Sequence, residues 1–330
     1  MKAWRVIVMA VVLLTAAVAG VCAWWLNKPL ELAADNIELS IENGANPRDI
    51  AQAWVQAGVQ EPPLLLYEWF RWSGEARKIR AGSYEIGRET TPVELLRKMV
   101  RGDSTLATVR LQEGWTFRQF RAELAKAEAL KPNTANLSDA EVMAAIGAPG
   151  QFPEGRFYPD TYAYSKGSSD LAVLKRAHQA MKTRLESAWA ERAGNSPLRD
   201  PEDALRLASI VEKETGAAAD RGRVAGVFAN RLRIGMPLQT DPTVIYGLGA
   251  AFDGNLRKRD LQTDTPYNSY TRGGLPPTPI AMPGKASLLA AVRPDPTNAL
   301  YFVARGDGSS EFSETLVEHN RAVNKYQRGK

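Results

Sequence analysis

The sequence predicts an α+β protein carried on an N-terminal membrane helix, and three observations predict it. Residues Val6 to Leu26 are 21 consecutive positions without a charge. Short alternating apolar segments, each followed by a capped helix, occur at 37–54 and again at 108–124. Beyond residue 150 apolar stripes of helical period take over, and strand-like segments return only near residue 300. Repeated strand-helix units of this kind give an α+β architecture with modest sheets. The boundaries follow as 1–30 for the anchor, 31–150 for a small module and its connector, and 151–330 for a larger domain.

At 1.5 Å rise per residue, the uncharged run is long enough to cross a hydrocarbon core about 30 Å thick. Lys2 and Arg5 precede it and Trp24-Trp25 stand at its far end, where indoles favour the membrane interface. The basic flank puts the N-terminus in the cytoplasm and the rest of the chain outside the cytoplasmic membrane. A cleaved signal peptide is the rival reading, since Ala19-Gly20-Val21-Cys22-Ala23 is rich in small residues. The run is long for a signal peptide and continues through two tryptophans, so a retained single-pass anchor is expected.

In the first module, Ile37, Leu39 and Ile41 alternate with Glu38, Ser40 and Glu42; Asn43-Gly44 turns the chain, and Asn46-Pro47 supplies an N-cap with proline at the first helical position. Val109 and Leu111 repeat the alternation, with Thr116 as cap and Phe117, Phe120 and Leu124 on a helical stripe. Gly82 to Ile86 reads as a strand, and Thr91-Pro92 opens another helix. Trp54, Tyr67, Trp69, Phe70, Trp72 and Trp115 are available either as core or for stacking on sugar rings. Residues 128–152 form a connector with a short helix from Asp139 to Ile146. A helix then runs from Asp170, its cap, to Arg192. Leu300 to Ala304 and Glu311 to Ser313 form a hairpin through Gly306-Asp307-Gly308, and a terminal helix carries His319.

Composition narrows the chemistry. A single cysteine, Cys22, lies in the apolar run, and the only histidines are His178 and His319. That excludes a disulfide framework and leaves no set of closely spaced ligands for zinc, so neither metal nor other cofactor is expected. The +5 formal charge owes three units to Lys2, Arg5 and Lys28, with no acid among residues 1–30, so the basic pI does not point to nucleic acid. Carboxylates and hydroxyls remain.

One stretch concentrates them. In Leu205 to Thr215, at 100° per residue, Leu207, Ile210, Val211 and Glu214 share a narrow helical face, with Ala204, Ala208 and Thr215 beside it. Glu212 projects to the side of Leu205 and Ser209, so the two glutamates cannot serve one cleft. A carboxyl on an apolar face is costly to ionise, which favours the protonated form a general acid needs. The alternative is a helix-end glutamate turned to solvent or paired with Arg221 or Arg223. The next helix spans Asp220 to Ile234, with Gly235 just past its end. After it, Gln239, Thr240, Asp241 and Tyr246, in a loop held by Pro237 and Pro242, and Tyr267 with Asn268 in a second polar cluster, are candidate groups for a polyhydroxylated ligand.

Taken together, Ser209-Ile210-Val211-Glu212-Lys213-Glu214-Thr215, Asn230-Arg231-Leu232, Leu238-Gln239-Thr240-Asp241-Pro242-Thr243-Val244-Ile245-Tyr246, Tyr267-Asn268-Ser269-Tyr270, Gly274-Leu275-Pro276-Pro277 and Glu318-His319-Asn320 resemble the endolytic murein transglycosylases of the MltG, or YceG-like, family. The resemblance covers essentially the whole chain. It implies an anchor, a LysM-like module and a catalytic domain acting on uncrosslinked peptidoglycan. The cleavage it implies falls at the β-1,4 bond between N-acetylmuramic acid and N-acetylglucosamine and would leave 1,6-anhydromuramic ends. It makes Glu214 the catalytic residue and implies association with peptidoglycan synthases (penicillin-binding proteins) and termination of glycan strands. The chain departs from the family's pattern at Thr278 and Met282, where glycine and asparagine are common, and at Ser310, where many members carry histidine. A wall-binding scaffold without activity and a hydrolytic muramidase are the competing readings.

Overall fold

The computed structural model describes residues 2–41, 44–102 and 106–329, and its contacts divide the chain into two compact units. The first comprises 1–108 with the short returns 128–131 and 163–169; the second comprises 109–127, 132–162 and 170–330. Residues 109–127 and 132–150, grouped with the N-terminal module on sequence grounds, therefore pack within the second unit.

In the first unit, helix α1 (Lys2–Asn27) contains a stretch, Ile7–Asn27, with mean hydropathy 2.5 and none of it buried. It is long and apolar enough to cross a membrane. Strand β1 (Asn36–Ile41), helices α2 (Pro47–Ala57) and α3 (Pro63–Trp72), strand β2 (Gly82–Gly87) and helix α4 (Pro92–Arg101) follow. The expected caps form: Asn46 accepts from the amides of Arg48 and Asp49, and Thr91 makes a reciprocal capping box with Glu94. β1 and β2 pair antiparallel, Ile37 opposite Ile86 and Leu39 opposite Tyr84. Glu42 and Asn43, read as the end of the first strand and its turn, lie outside the described residues. Trp54 and Phe70 are fully buried in this core, and the Trp69 indole donates to the Pro92 carbonyl at 3.0 Å. Of the aromatics considered for sugar stacking in this unit, Trp72 is the one left exposed, at 78%.

Strand β3 (Leu106–Arg110) and strand β4 (Thr161–Ser165), the latter not anticipated, form a two-stranded sheet. Helices α5 (Phe117–Lys126) and α6 (Asp139–Ala145) carry capping boxes built on Thr116 and Ser138. Helix α7 (Asp170–Ala190) begins where expected, but the Asp170 carboxylate reaches across to the connector and accepts from the Thr134 amide and hydroxyl, the latter at 2.5 Å.

The centre of the second unit is helix α8 (Pro201–Glu214), opened by Asp200 and Pro201. It packs against α7, α9 (Arg221–Arg233) and α12 (Lys285–Val292), and it is buried on both sides: Leu205 and Ser209 are as completely enclosed as Leu207 and Ile210. Ser209 is satisfied there, its Oγ accepting from the Ile280 amide at 3.0 Å and donating to the Arg206 carbonyl. Helices α10 (Asp241–Leu248) and α11 (Lys258–Gln262) precede α12. The hairpin forms as β5 (Tyr301–Ala304) and β6 (Ser310–Ser313), Tyr301 opposite Ser313, and α13 (Leu316–Gln327) ends the chain.

Close approach in this unit depends on glycine at position 226. A Cβ there would lie 2.8 Å from the Asp295 carbonyl oxygen and 2.6 Å from Thr297 Cγ2, so backbone has to yield. Gly226→Ala is expected to cost roughly 1–3 kcal/mol and to lower the apparent Tm by several degrees in calorimetry. An unchanged Tm would show that the contact between α9 and the 295–297 segment relaxes freely.

Candidate active site

Glu214 is the last residue of α8. Thr215 ends the helix, its amide and hydroxyl both returning to the Val211 carbonyl. A carboxylate at this position meets the negative end of the helix dipole. The opposite wall begins where α9 ends: Gly235 takes φ +71°, and the Met236 amide bonds the Arg231 carbonyl at 2.8 Å. The buried Arg231 guanidinium then holds the outgoing loop, donating from Nη1 to the Leu238 carbonyl at 2.7 Å and from Nε to the Leu300 carbonyl at 2.7 Å.

This loop turns through Gln239, which has φ +50°, a left-handed conformation that costs a non-glycine residue roughly 1–2 kcal/mol. The Ser269 carbonyl accepts the Gln239 amide at 3.0 Å, and the Ser269 hydroxyl accepts the Thr240 amide at 3.0 Å. Thr240 is buried at the N-cap of α10, yet its hydroxyl does not cap that helix. It donates to Glu214 Oε1. Asp241, next in line, accepts from the Tyr270 hydroxyl at 2.6 Å.

Glu214, Gln239 and Asp241 line a cleft of about 830 Å³ within the second unit. Its other walls are Tyr270, the β5 residues from Tyr301 to Ala304, the 306–310 turn, and a stripe of α13 at Leu316, His319, Asn320, Val323 and Gln327, the spacing of one helix face. The His319 ring stacks on Tyr301 at 5.2 Å. Ser310 lines the same cleft, and its amide donates to Asp220 at 2.6 Å. Arg231, Tyr301 and His319 were not singled out as site residues from the sequence. They come from separate elements whose convergence has no periodic signature.

Burial raises the Glu214 pKa, the Thr240 hydroxyl opposes the rise, the nearby Asp241 charge adds to it, and Arg231 opposes it. The pKa therefore moves in the upward direction expected of a carboxyl on an apolar helical face. No ion pair joins Glu214 to Arg221 or Arg223 among the described residues; Arg223 instead lies 3.9 Å over the Phe312 ring. Glu212 points elsewhere, as its helical phase demands, and accepts from the Gly284 amide at 2.9 Å. Its charge helps raise the pKa of Glu113, after burial as the main cause.

The other sequence candidates lie apart from the cleft lining. Tyr246 is five residues after Asp241 on α10, about 140° around the helix, and faces away from it. Its hydroxyl donates to Glu154 at 3.1 Å, and its ring meets Tyr267 edge-on at 5.0 Å. The Tyr267 hydroxyl is 2.8 Å from Thr278 Oγ1, so one of the residues departing from the family's pattern is engaged here. A second of them, Met282, is buried and bonds through its backbone to Gly114 and Trp115. Asn268 is fully buried; its amide donates to the Asp260, Leu261 and Thr263 carbonyls and its oxygen accepts from the Tyr270 amide, fixing the turn that carries Ser269 and Tyr270. Among the described residues, no group of three or more His, Cys, Asp or Glu is arranged to hold a metal ion.

Fold and site define the class. The chain belongs to the YceG-like family, whose model matches residues 39–325. It is 31% identical over 310 residues to the endolytic murein transglycosylase of Bacillus subtilis (strain 168), covering 88% of this chain and 84% of that protein. It is 24% identical to the endolytic murein transglycosylase of Streptococcus pneumoniae serotype 2 (strain D39 / NCTC 7466), covering 87% of this chain and 58% of that one. The crystal structure of a YceG-like protein from Listeria monocytogenes is similar at TM-score 0.55 and 28% identity, over 87% of this chain and 98% of the other.

Two outcomes test the electrostatics. Thr240→Val keeps the side-chain shape and removes the donor to Glu214, so the Glu214 pKa should rise further. This is read from the carboxylate infrared band against Glu214→Gln; an unmoved band would remove the hydrogen bond from the account. The second concerns Glu154, buried at 4% exposure with a pKa raised by desolvation to about 7. Its folded-state pKa lies above the ordinary 4.5, so the unfolded chain releases this proton first as pH rises. The stabilisation is therefore full below pH 4.5 and is lost between about 4.5 and 7. Relative to Glu154→Gln, the wild-type chain should lose up to roughly 3 kcal/mol between pH 4 and 8 in denaturant titrations. A pH-independent difference would contradict the burial.

Proposed function

We infer that this chain is an endolytic murein lytic transglycosylase, a lyase acting on peptidoglycan, with Glu214 as its catalytic acid and base. The observation that carries the reading is the placement of Glu214: a partly buried carboxyl with a raised pKa, oriented by Thr240, opening on a polar cleft. The family membership and the names of the relatives support the substrate class.

The chemistry needs one group in two protonation states. Protonated Glu214 gives its proton to the oxygen leaving with N-acetylglucosamine as the bond to muramyl C1 breaks and oxocarbenium character develops. The carboxylate so formed accepts the proton of the muramyl C6 hydroxyl, whose oxygen closes on C1. Glu214 is thereby restored, and the product is a 1,6-anhydro ring. The nucleophile is in the same sugar, so proximity is built in and no water enters. Gln239 and Asp241, on the cleft wall, are proposed to contact the sugars, with Thr240 acting through Glu214. The LysM-like identity of the first unit, α1 as a single-pass anchor with the folded units outside the cytoplasmic membrane, contact with peptidoglycan synthases and termination of glycan strands belong to the same proposal.

A second reading is favoured by Asp241, a further carboxylate on the same cleft: paired with Glu214, it could activate water and make the enzyme a hydrolytic muramidase. Product masses from uncrosslinked glycan separate the two. Wild type should release anhydromuramyl ends, and Glu214→Gln should lower the rate at least about 100-fold without loss of folding. Reducing ends instead would establish hydrolysis, and an undiminished rate in the variant would remove Glu214 from the mechanism.

A further inference from the structure

The first unit leaves an apolar surface uncovered beside the base of α1. Pro62, Pro63, Leu64 and Leu65 are exposed in succession, Leu64 at 63% and Leu65 at 41%. Four consecutive exposed apolar residues are unfavourable in water and mark a contact surface when a fold retains them. Trp72, at 78% exposure, falls on the same face of α3: at 100° per residue, Leu64, Trp72 and Leu65 lie within about 100° of arc, opposite the buried Leu66 and Phe70. The charges on this face are paired. Glu68 bonds Arg71 at 2.9 Å and accepts the Trp72 indole N–H at 3.0 Å, and the Arg71 guanidinium lies 5.6 Å over the Trp72 ring.

Several contacts fix this surface next to the end of α1. The Trp25 indole donates to Glu61 at 3.3 Å, the Gln60 amide bonds the Glu31 carbonyl at 2.7 Å, and Leu32 bridges Val59. Leu64 is three residues from Glu61, so its Cα lies within about 10 Å of that residue's. The headgroup layer on each side of a bilayer is about 5–7 Å thick. With Trp24 and Trp25 at the interface, the Pro62–Leu65 segment stands at the same level. Prolines, leucines and a tryptophan with a neutralised charge pair match what that layer accepts.

We propose that the exposed face of α3, carried by Leu64, Leu65 and Trp72, seats in the bilayer interface beside α1, so that the first unit is held against the membrane at a second point. The proposal rests on the reading of α1 as a membrane anchor. A second contact removes freedom of rotation about the anchor and fixes the height of the first unit above the lipid. Trp72 then faces lipid rather than a glycan.

The full chain in liposomes tests this, because its one cysteine already lies in α1. Bimane is attached to Cys22 in one sample, and to Leu64→Cys or Leu65→Cys in a Cys22→Ala background in the others; these sites are exposed, so folding is preserved. Quenching by lipids brominated near the headgroup and along the chain is then compared. Loss of emission at Cys22 together with loss at 64 and 65, strongest with the headgroup-proximal bromine, is the expected result. Quenching at Cys22 with none at 64 or 65 overturns the proposal and leaves the anchor standing. No quenching at Cys22 removes the anchor reading and this one with it. A response at 64 to added soluble glycan, without lipid quenching, overturns it in favour of a sugar-stacking face.

Discussion

A buried guanidinium holds the candidate site together. Arg231 cannot shed its charge at any working pH, and enclosing it would cost several kcal/mol if its donors went unmet. They are met by the Leu238 and Leu300 carbonyls, which belong to the loop before α10 and to the residue preceding β5. The Tyr301 ring covers the same group at 5.2 Å. One side chain on α9 thus ties together two walls of the cleft, and its positive charge opposes the rise of the Glu214 pKa.

From that constraint the rest follows in sequence. With Leu238 fixed, the loop must turn sharply to begin α10, and Gln239 takes the strained left-handed conformation. The strain is held by Ser269, which itself is placed by the fully satisfied Asn268. The turn presents the Thr240 hydroxyl to Glu214 and Asp241 to the open side. The buried Arg231, Thr240, Asn268 and Ser269 each have hydrogen-bond partners, which is the condition under which a polar network stiffens a site rather than weakening the fold.

Much of this was legible in the sequence, and the exceptions have physical reasons. Helical phase separated Glu214 from Glu212 correctly because α8 is a regular helix, and caps such as Thr91, Thr116 and Asn46 are local signals that tertiary contacts did not override. Helix α12 was not foreseen: it is enclosed nearly all round, Ser287, Leu288, Ala291 and Val292 being buried, so it has no amphipathic period to detect. Tyr246, Tyr267 and Asn268 were grouped with the cleft because sequence proximity to Asp241 and Tyr270 says nothing about which side of a helix or turn a residue faces. Arg231 and His319 gave no local signal because their meaning lies in which distant segments they meet.

The central claim is that Glu214 begins the reaction protonated. The most direct measurement is the pH dependence of kcat/KM for anhydromuramyl product formation on uncrosslinked glycan. The account predicts that kcat/KM stays level at low pH and falls as pH rises through the elevated pKa of Glu214, following a single ionisation. A kcat/KM that increases across that range would require an ionised Glu214 in the free enzyme and would contradict it.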